Sequence, residues 1–362
     1  MARHSSSSTI PTMHILITTS QVPFIRGGAE LHAEGLRDAL RAEGHDAEIV
    51  AIPFKWYPAE RILAHMAACR LLDLSEIGRM AIDMVIGLKF PAYLVPHPNK
   101  VLWILHQHRQ AYELWEHPMG DLHLEPNGAY VREAIRQADR TYIREARAVY
   151  ANSKTVAGRL KEYSGLDATP LYHPPHQADK FYSAEAEDYL LFPSRIGTMK
   201  RQELVVAALA LTTQPVRVSF MGAADREEYA RKLRDMSREL GLEGRVQWLG
   251  PVSDEEKFRL YAHSLGVLFP PADEDYGYIT LEAMLSSRPV ITCTDSGGPL
   301  EFVRDGETGY VTDPTPEGIA AAMDQLWEDR TGAKSLGKAG RALYDSLGIS
   351  WTTVVKHLLS GP

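Results

Sequence analysis

From residue 188 onward the chain alternates short apolar runs with segments of helical length. DYLLFPS leads to QELVVAALAL, VRVSFMG to REEYARKLRDMSREL, VQWLG to DEEKFRLYAHS, and GVLFPP to LEAMLSS and PVITCTD. An apolar run with no polar face reads as a strand buried on both sides, and such strands joined by helices form a parallel sheet covered on both faces. The first half repeats the pattern less regularly. MHILITTS (13–20) is a strand, followed by the helix AELHAEGLRDALRAEGH with Ala29, Ala33, Leu36 and Leu40 at helical spacing. AEIVAIPF and VLWIL (101–105) are further strands, and residues 55–100 read as helical segments with a strand at AIDMVIGL. At 362 residues there is room for two α/β domains, each with its own core. LYHPPHQADKFY (171–182) reads as the hinge between them, because X-Pro steps disfavour helix and stiffen a linker.

Charge excludes one class of partner. Residues 1–170 carry 19 of the 39 Lys and Arg and 19 of the 47 Asp and Glu, so the whole formal charge of −8 falls on the remainder. A nucleic-acid binder would show a basic domain or stripe, and an anionic membrane surface is likewise disfavoured. Cys69 and Cys293 are too few and too far apart for a disulfide frame or a structural zinc site, which points to a reducing, cytoplasmic setting. No apolar run reaches the roughly 20 residues needed to cross a bilayer, and the polar leader over residues 1–12 reads as disordered.

Residues 268–302, LFPPADEDYGYITLEAMLSSRPVITCTDSGGPLEF, concentrate the candidate chemistry. Glu274 and Glu282 flank Gly277; a helix is expected to start near Thr280 as its N-cap, and Ser296-Gly297-Gly298 is a tight turn into another helix. Both carboxylates thus sit where strands end and helices begin, the edge at which open α/β sheets bind ligands. Eight residues of helix span roughly 12 Å, too far for the ~5–5.5 Å carboxyl pair of a retaining hydrolase. Gripping two parts of one long ligand is one reading; a solvated loop and a helix-dipole glutamate is the other. QVPFIRGGAE, a Gly-rich turn between strand and helix, likewise reads either as a phosphate cradle or as a plain βα turn.

The motif E-D-Y-G-Y-I-T-L-E-A-M followed by R-P-V-I-T-C-T-D-S-G-G resembles the signature region of the retaining glycosyltransferases of family 4. The resemblance implies the GT-B fold: two Rossmann-like domains whose parallel sheets face a central cleft, with the chain's end (345–362) crossing back to join 13–172, and 173–344 forming the nucleotide-sugar domain. It places Glu274 on the donor sugar, Glu282 on the ribose, and the backbone of Tyr276, Gly277 and Tyr278 against sugar and diphosphate. Gly27 and Gly28 match the family's Gly-Gly-x-Glu turn near diphosphate and acceptor. His106, at the carboxyl end of VLWIL, matches the histidine that reaches the donor sugar. Arg195 and Lys200 in PSRIGTMKRQE match the Arg and Lys on the diphosphate, and Val252 in GPVSDEE lies in the turn near the base. The sequence departs from the pattern at Gln107 (usually Asp), Arg201 (usually Gly), Asp275 (usually small), and in MGAAD, which lacks a second Gly.

The function so implied is retaining transfer from a UDP- or GDP-sugar to the hydroxyl of a small-molecule, glycan or lipid-linked acceptor held by the N-terminal domain, with no cofactor and no metal. Arg195, Lys200 and backbone amides would replace a metal ion, and His106 and Glu274 would orient the sugar. Closing the hinge would keep water from the donor. His108, Arg109 and Trp56 are candidates on the acceptor side; Lys55, Trp56, Tyr57 and Arg61 also read as amphipathic packing or a peripheral membrane contact, the latter less favoured. A metal site among His106, His108, His117 and His123 is a weaker reading, since no H-E-x-x-H is present, and Asp273 and Asp275 have Asp-x-Asp spacing but fall in the sugar loop. A sugar-nucleotide epimerase, a pyridoxal-phosphate phosphorylase (for which no motif appears), and a non-catalytic nucleotide-sugar-binding protein are the alternatives.

Overall fold

The structure is a computed structural model and describes residues 11–24 and 27–361. Most of the leader, and Ile25 and Arg26 of the glycine-rich loop, lie outside the described residues. The chain divides into two units: one runs to His173 and takes in the chain from Ser350 on, the other is Pro174–Ile349.

The first unit contains β1 (His14–Gln21), α1 (Gly28–Ala42), β2 (Asp46–Pro53), α2 (Glu60–Leu71), a short antiparallel hairpin of β3 (Glu76–Ile77) and β4 (Met80–Ala81), and β5 (Met84–Gly87). These are followed by β6 (Lys100–Ile104), α3 (Gly128–Tyr142), β7 (Ala148–Ala151), α4 (Lys154–Ser164) and β8 (Thr169–Pro170). Six strands form a parallel sheet in the order β2-β1-β5-β6-β7-β8. Successive side chains of a strand point to opposite faces. Accordingly Ile15, Ile17, Met84, Ile86, Val101 and Trp103 fall in one buried cluster, and Leu16, Val85, Leu102 and Ile104 in another. The strand expected within AIDMVIGL is β5.

The second unit contains β9 (Leu190–Pro193), α5 (Gln202–Leu211), β10 (Val218–Met221), α6 (Glu227–Glu239), β11 (Val246–Gly250), α7 (Asp254–His263) and β12 (Gly266–Leu268). The chain continues through α8 (Tyr278–Leu285), β13 (Val290–Cys293), β14 (Gly309–Thr312), α9 (Pro316–Glu328) and α10 (Arg330–Ser346). Its parallel sheet runs β11-β10-β9-β12-β13-β14, the doubly wound order of a dinucleotide-binding fold. The return to the first unit starts at Ser350 rather than at 345, because α10 continues to Ser346 within the second unit. Ser350 then caps α11 (Trp351–Ser360), its hydroxyl accepting from Thr353 N at 3.1 Å. Val354, Val355 and Leu358 of α11 pack with Ala33, Leu36 and Leu40 of α1. Among the described residues no helix is long and apolar enough to cross a membrane. Both cysteines are buried and free, and burial pushes their thiols up, Cys69 to about 12 and Cys293 to about 11.

Candidate functional site

In the second unit the strand order reverses between β9 and β12, and ligands of such sheets bind outside the carboxyl ends of the strands at that point. Arg195 and Lys200 follow β9, and Glu274 follows β12. The fold joins Lys200 Nζ to Glu274 Oε2 in an ion pair whose side chains are 20% and 25% exposed. The ammonium also lies 5.5 Å from the centroid of the Phe269 ring. Arg195 is more open, at 60% exposure, and pairs with Asp225 after β10.

The loop carrying Glu274 is held through its backbone. Asp273 N donates to Asp295 O (3.0 Å), Glu274 N to Ser296 O (3.0 Å), and Gly298 N back to Glu274 O (2.8 Å). Two glycines permit this approach: a Cβ on Gly297 (φ +69°) would lie 2.5 Å from Glu274 O, and one on Gly298 would lie 2.6 Å from Tyr276 O. The turn leads, as expected, into a helix, which is a short 3-10 one, Gly298–Glu301. The helix before it starts earlier than expected. Gly277, in the left-handed region at φ +84°, caps α8, so Thr280 lies inside the first turn, fully buried, its N–H donating to Gly277 O at 3.0 Å. The Gly277 cap sets the positive end of the α8 dipole beside the Tyr276–Tyr278 backbone, a position that favours negative charge. Tyr276 is buried against Tyr278 and Phe302, ring centroids 5.2 and 5.9 Å away.

Glu282, one turn into α8, is 12% exposed and engaged at both oxygens. Oε2 accepts from the Tyr261 hydroxyl at 2.6 Å and Oε1 from Lys257 Nζ at 3.2 Å. Lys257 and Tyr261 are four residues apart on α7 and so share one face. Burial, and after it the Glu282 carboxylate, hold the Tyr261 phenol well above its ordinary pKa, so it stays a donor; the same causes raise Tyr278. Val252 sits half-buried in the turn before α7, next to the capping Ser253. Arg201 adopts φ +61°, the left-handed conformation that explains a glycine in the family pattern. Its guanidinium meets Asp295 through two bonds of 2.7 and 2.5 Å, tying the Lys200 turn to the turn that holds Glu274.

In the first unit the order reverses between β1 and β5. Gly27 caps α1, and its N–H donates to Glu30 Oε2 at 2.7 Å; Gly28 opens the helix. Lys89, just past β5, is half-buried; burial lowers its pKa while the Glu30 carboxylate opposes the shift. His106 follows β6, half-buried, with Nδ1 2.6 Å from Gln107 O. The departure at Gln107 has a structural cause. Its side chain turns inward, and Nε2 donates to Asp139 Oδ2 (2.8 Å) and Ser164 Oγ (3.0 Å). Asp139, fully buried, also accepts from Tyr93 OH (2.8 Å) and Tyr112 OH (2.7 Å), and burial pushes its carboxyl up to about 6.

Of the acceptor candidates, His108 lies 5.2 Å from the Phe90 ring and 6.1 Å from Phe54. Burial, with His106 nearby, pushes it down to about 3, so it is neutral at physiological pH. Arg109 Nε donates to Glu113 at 2.6 Å, and Arg159 reaches the same carboxylate at 3.4 Å. Trp56 packs on the core and edge-on against Tyr57. His117 Nδ1 accepts from Met119 N, and His123 lies beside Trp115. Among the described residues no three or more His, Cys, Asp or Glu side chains converge as a metal-binding group.

Two doubly wound parallel-sheet units, with the Lys200–Glu274 pair at the switch point of the second, define the GT-B class of fold. The crystal structure of Anabaena Alr3699/HepE in complex with UDP and glucose superimposes with a TM-score of 0.71 at 18% identity, covering 97% of this chain and 100% of that one. Residues 176–343 match the family described as Glycosyl transferases group 1. Alpha-1,3/1,6-mannosyltransferase ALG2 of Dictyostelium discoideum is 35% identical over 120 residues, 33% of this chain and 28% of the relative. D-inositol 3-phosphate glycosyltransferase of Nocardia farcinica is 29% identical over 243 residues, 61% of this chain and 53% of the relative. The chain thus spans about a quarter to about half the length of these curated relatives. It has the GT-B fold and resembles the family 4 glycosyltransferases.

Proposed function

We propose that the protein is a retaining glycosyltransferase that moves a sugar from a UDP- or GDP-sugar to an acceptor hydroxyl without a metal ion. The observation that carries this reading is the Lys200–Glu274 pair at the carboxyl edge of the second sheet, beside the Gly277-capped helix. A departing nucleoside diphosphate gains negative charge on its terminal phosphate oxygen. Lys200, Arg195 and the first amides of α8 supply fixed positive potential for that oxygen. Glu274, released from Lys200 as the ammonium turns to the phosphate, accepts from sugar hydroxyls, and Glu282 accepts from the ribose hydroxyls while Tyr261 and Lys257 hold it. The same structural neighbour, Anabaena Alr3699/HepE, was also crystallised with UDP-glucose and with UDP, which favours a nucleotide-sugar donor here.

In the reaction the bond from the anomeric carbon to the phosphate oxygen breaks, and a bond to the acceptor oxygen forms on the same face of the sugar. The acceptor proton passes to the leaving phosphate, so no protein nucleophile is needed. His106 and the Gly27-Gly28 turn orient sugar and acceptor. The test is to incubate the protein with radiolabelled UDP- and GDP-sugars, with EDTA or Mg²⁺, and with or without acceptor mixtures. Acceptor-dependent nucleotide release in EDTA is expected. Conversion of the sugar nucleotide without acceptor would make it an epimerase, and release that needs divalent metal would refute the electrostatic mechanism.

A further inference from the structure

The second unit carries a basic pocket on the edge of its sheet opposite the candidate site. Residues 171–362, which include all of this unit, hold the entire charge of −8, yet this cavity of about 300 Å³ is lined by Arg288, Arg330, Lys334 and Lys338 against a single acid, Glu185. Leu265 and Ser287-Arg288 stand just before β12 and β13, and Ser183–Ala186 ahead of β9, so the pocket opens at the amino ends of the strands. Lys200 and Glu274 follow the carboxyl ends of the same sheet. Its far wall is α10, where Arg330, Lys334 and Lys338 recur every four residues and share one face. Gly337 brings that helix close: a Cβ there would lie 2.0 Å from Ser287 O.

The charge in this pocket is under-compensated. Arg288 is only 6% exposed and cannot lose its proton. Its guanidinium donates to Ala184 O and Ala262 O, but Nε is buried with no partner, and the side chain forms no ion pair among the described residues. Arg330 is matched by Asp188 at 3.0 Å. Lys334 reaches Glu185 only at 3.9 Å with both side chains exposed, a contact of little energetic weight. Lys338 has no partner among the described residues. About two positive charges are thus unmatched beside a cavity whose volume suits a small ligand. We propose that this pocket is a second anion site, taking a compact phosphate-bearing ligand gripped by Lys334 and Lys338, with the buried Arg288 supplying fixed charge behind them. The inference does not rest on the proposed catalytic role of the opposite edge.

Inorganic pyrophosphate is the probe, titrated calorimetrically at about physiological ionic strength, where the screening length is ~8 Å. The Arg195→Ala/Lys200→Ala protein disables the carboxyl-edge cations and should keep one binding event. Lys334→Glu/Lys338→Glu reverses two exposed charges without touching Arg288, and added to that background it should weaken the event at least tenfold while the melting temperature without anion stays unchanged. Glucose 1-phosphate, titrated alongside, separates an esterified phosphate from a free one: tighter binding than inorganic phosphate assigns the pocket to a phosphate ester, and the reverse order to free phosphate or diphosphate. No binding in the Arg195→Ala/Lys200→Ala protein, or binding insensitive to the lysine reversals, would overturn the site and leave the transferase reading untouched.

Discussion

The buried carboxyl of Asp139 ties stability to pH at a point one residue from His106. Its folded pKa, about 6, lies above the ordinary 3.8 because burial penalises the charged form more than three donors favour it. A raised carboxyl means that the folded protein binds more protons than the unfolded chain between those values. Its contribution is therefore fully present below the unfolded pKa and is lost as pH rises through about 6. A shift of about two units is worth about 3 kcal/mol in all, of which ~1.4 kcal/mol falls between pH 5 and pH 8. Asp139→Asn removes the proton and keeps the shape. The new amide can donate to Gln107 if that side chain flips, which would also give Gln107 Oε1, now buried without a partner, a hydrogen bond. Urea unfolding of wild type and Asp139→Asn at both pH values isolates the contribution, because titrating groups common to both proteins cancel in the difference. The wild type should lose about 1.4 kcal/mol more than the variant on going from pH 5 to pH 8. Equal losses would mean that Asp139 is ionised throughout and that the network is not a desolvated carboxyl.

At the proposed donor site, Lys200→Ala should lower the rate of nucleotide release by ~10²–10³, as removal of an oxyanion donor does, with the melting temperature little changed; a normal rate would remove Lys200 from the mechanism. Glu282→Ala should weaken UDP or GDP binding in calorimetry, and Tyr261→Phe, which deletes one hydrogen bond to Glu282, should weaken it about fivefold, for ~1 kcal/mol. Unchanged binding in both would reject the ribose assignment. Arg201→Gly and Arg201→Ala lose the same ion pair to Asp295, but only glycine accepts φ +61° freely, so the glycine variant should be the more stable by ~1 kcal/mol; equal melting temperatures would mean that the turn relaxes.

The alternation of apolar runs and helices carries the architecture because a strand buried on both faces has few ways to be covered. That is why β9 to β13 fall where the apolar runs are, and why both sheets are parallel. Boundaries set by backbone conformation were harder to read. Gly277 caps α8 three residues before the expected cap at Thr280, since a left-handed glycine can cap a helix without a side-chain acceptor. Partners distant in sequence were not legible: Asp225 for Arg195, Asp295 for Arg201 and Asp139 for Gln107 come from other strands and helices and leave no local spacing. Lys257 and Tyr261 did leave a signal, four residues apart on a helix, but nothing local says which acid they meet. Gln107 in place of the usual Asp becomes intelligible only through the inward turn of its side chain.

The same pairing has a consequence for how a ligand enters. Lys200 and Arg195 are each matched by a carboxylate within the second unit, so in the proposed mechanism a diphosphate displaces Glu274 and Asp225 before it meets either cation. Under that proposal displacement serves Glu274, because a carboxylate freed from Lys200 becomes an acceptor for sugar hydroxyls just as the phosphate arrives. For a nucleotide that lacks the sugar nothing repays the broken pair. Glu274→Gln removes the competing charge and should therefore bind UDP or GDP more tightly, by about fivefold if the partly buried pair is worth ~1 kcal/mol, while the sugar donor turns over more slowly. Calorimetry with the nucleotide and release assays with the donor read the two effects separately. Weaker nucleotide binding by Glu274→Gln would mean that Glu274 positions Lys200 for the phosphate rather than competing for it, and the displacement step would fall.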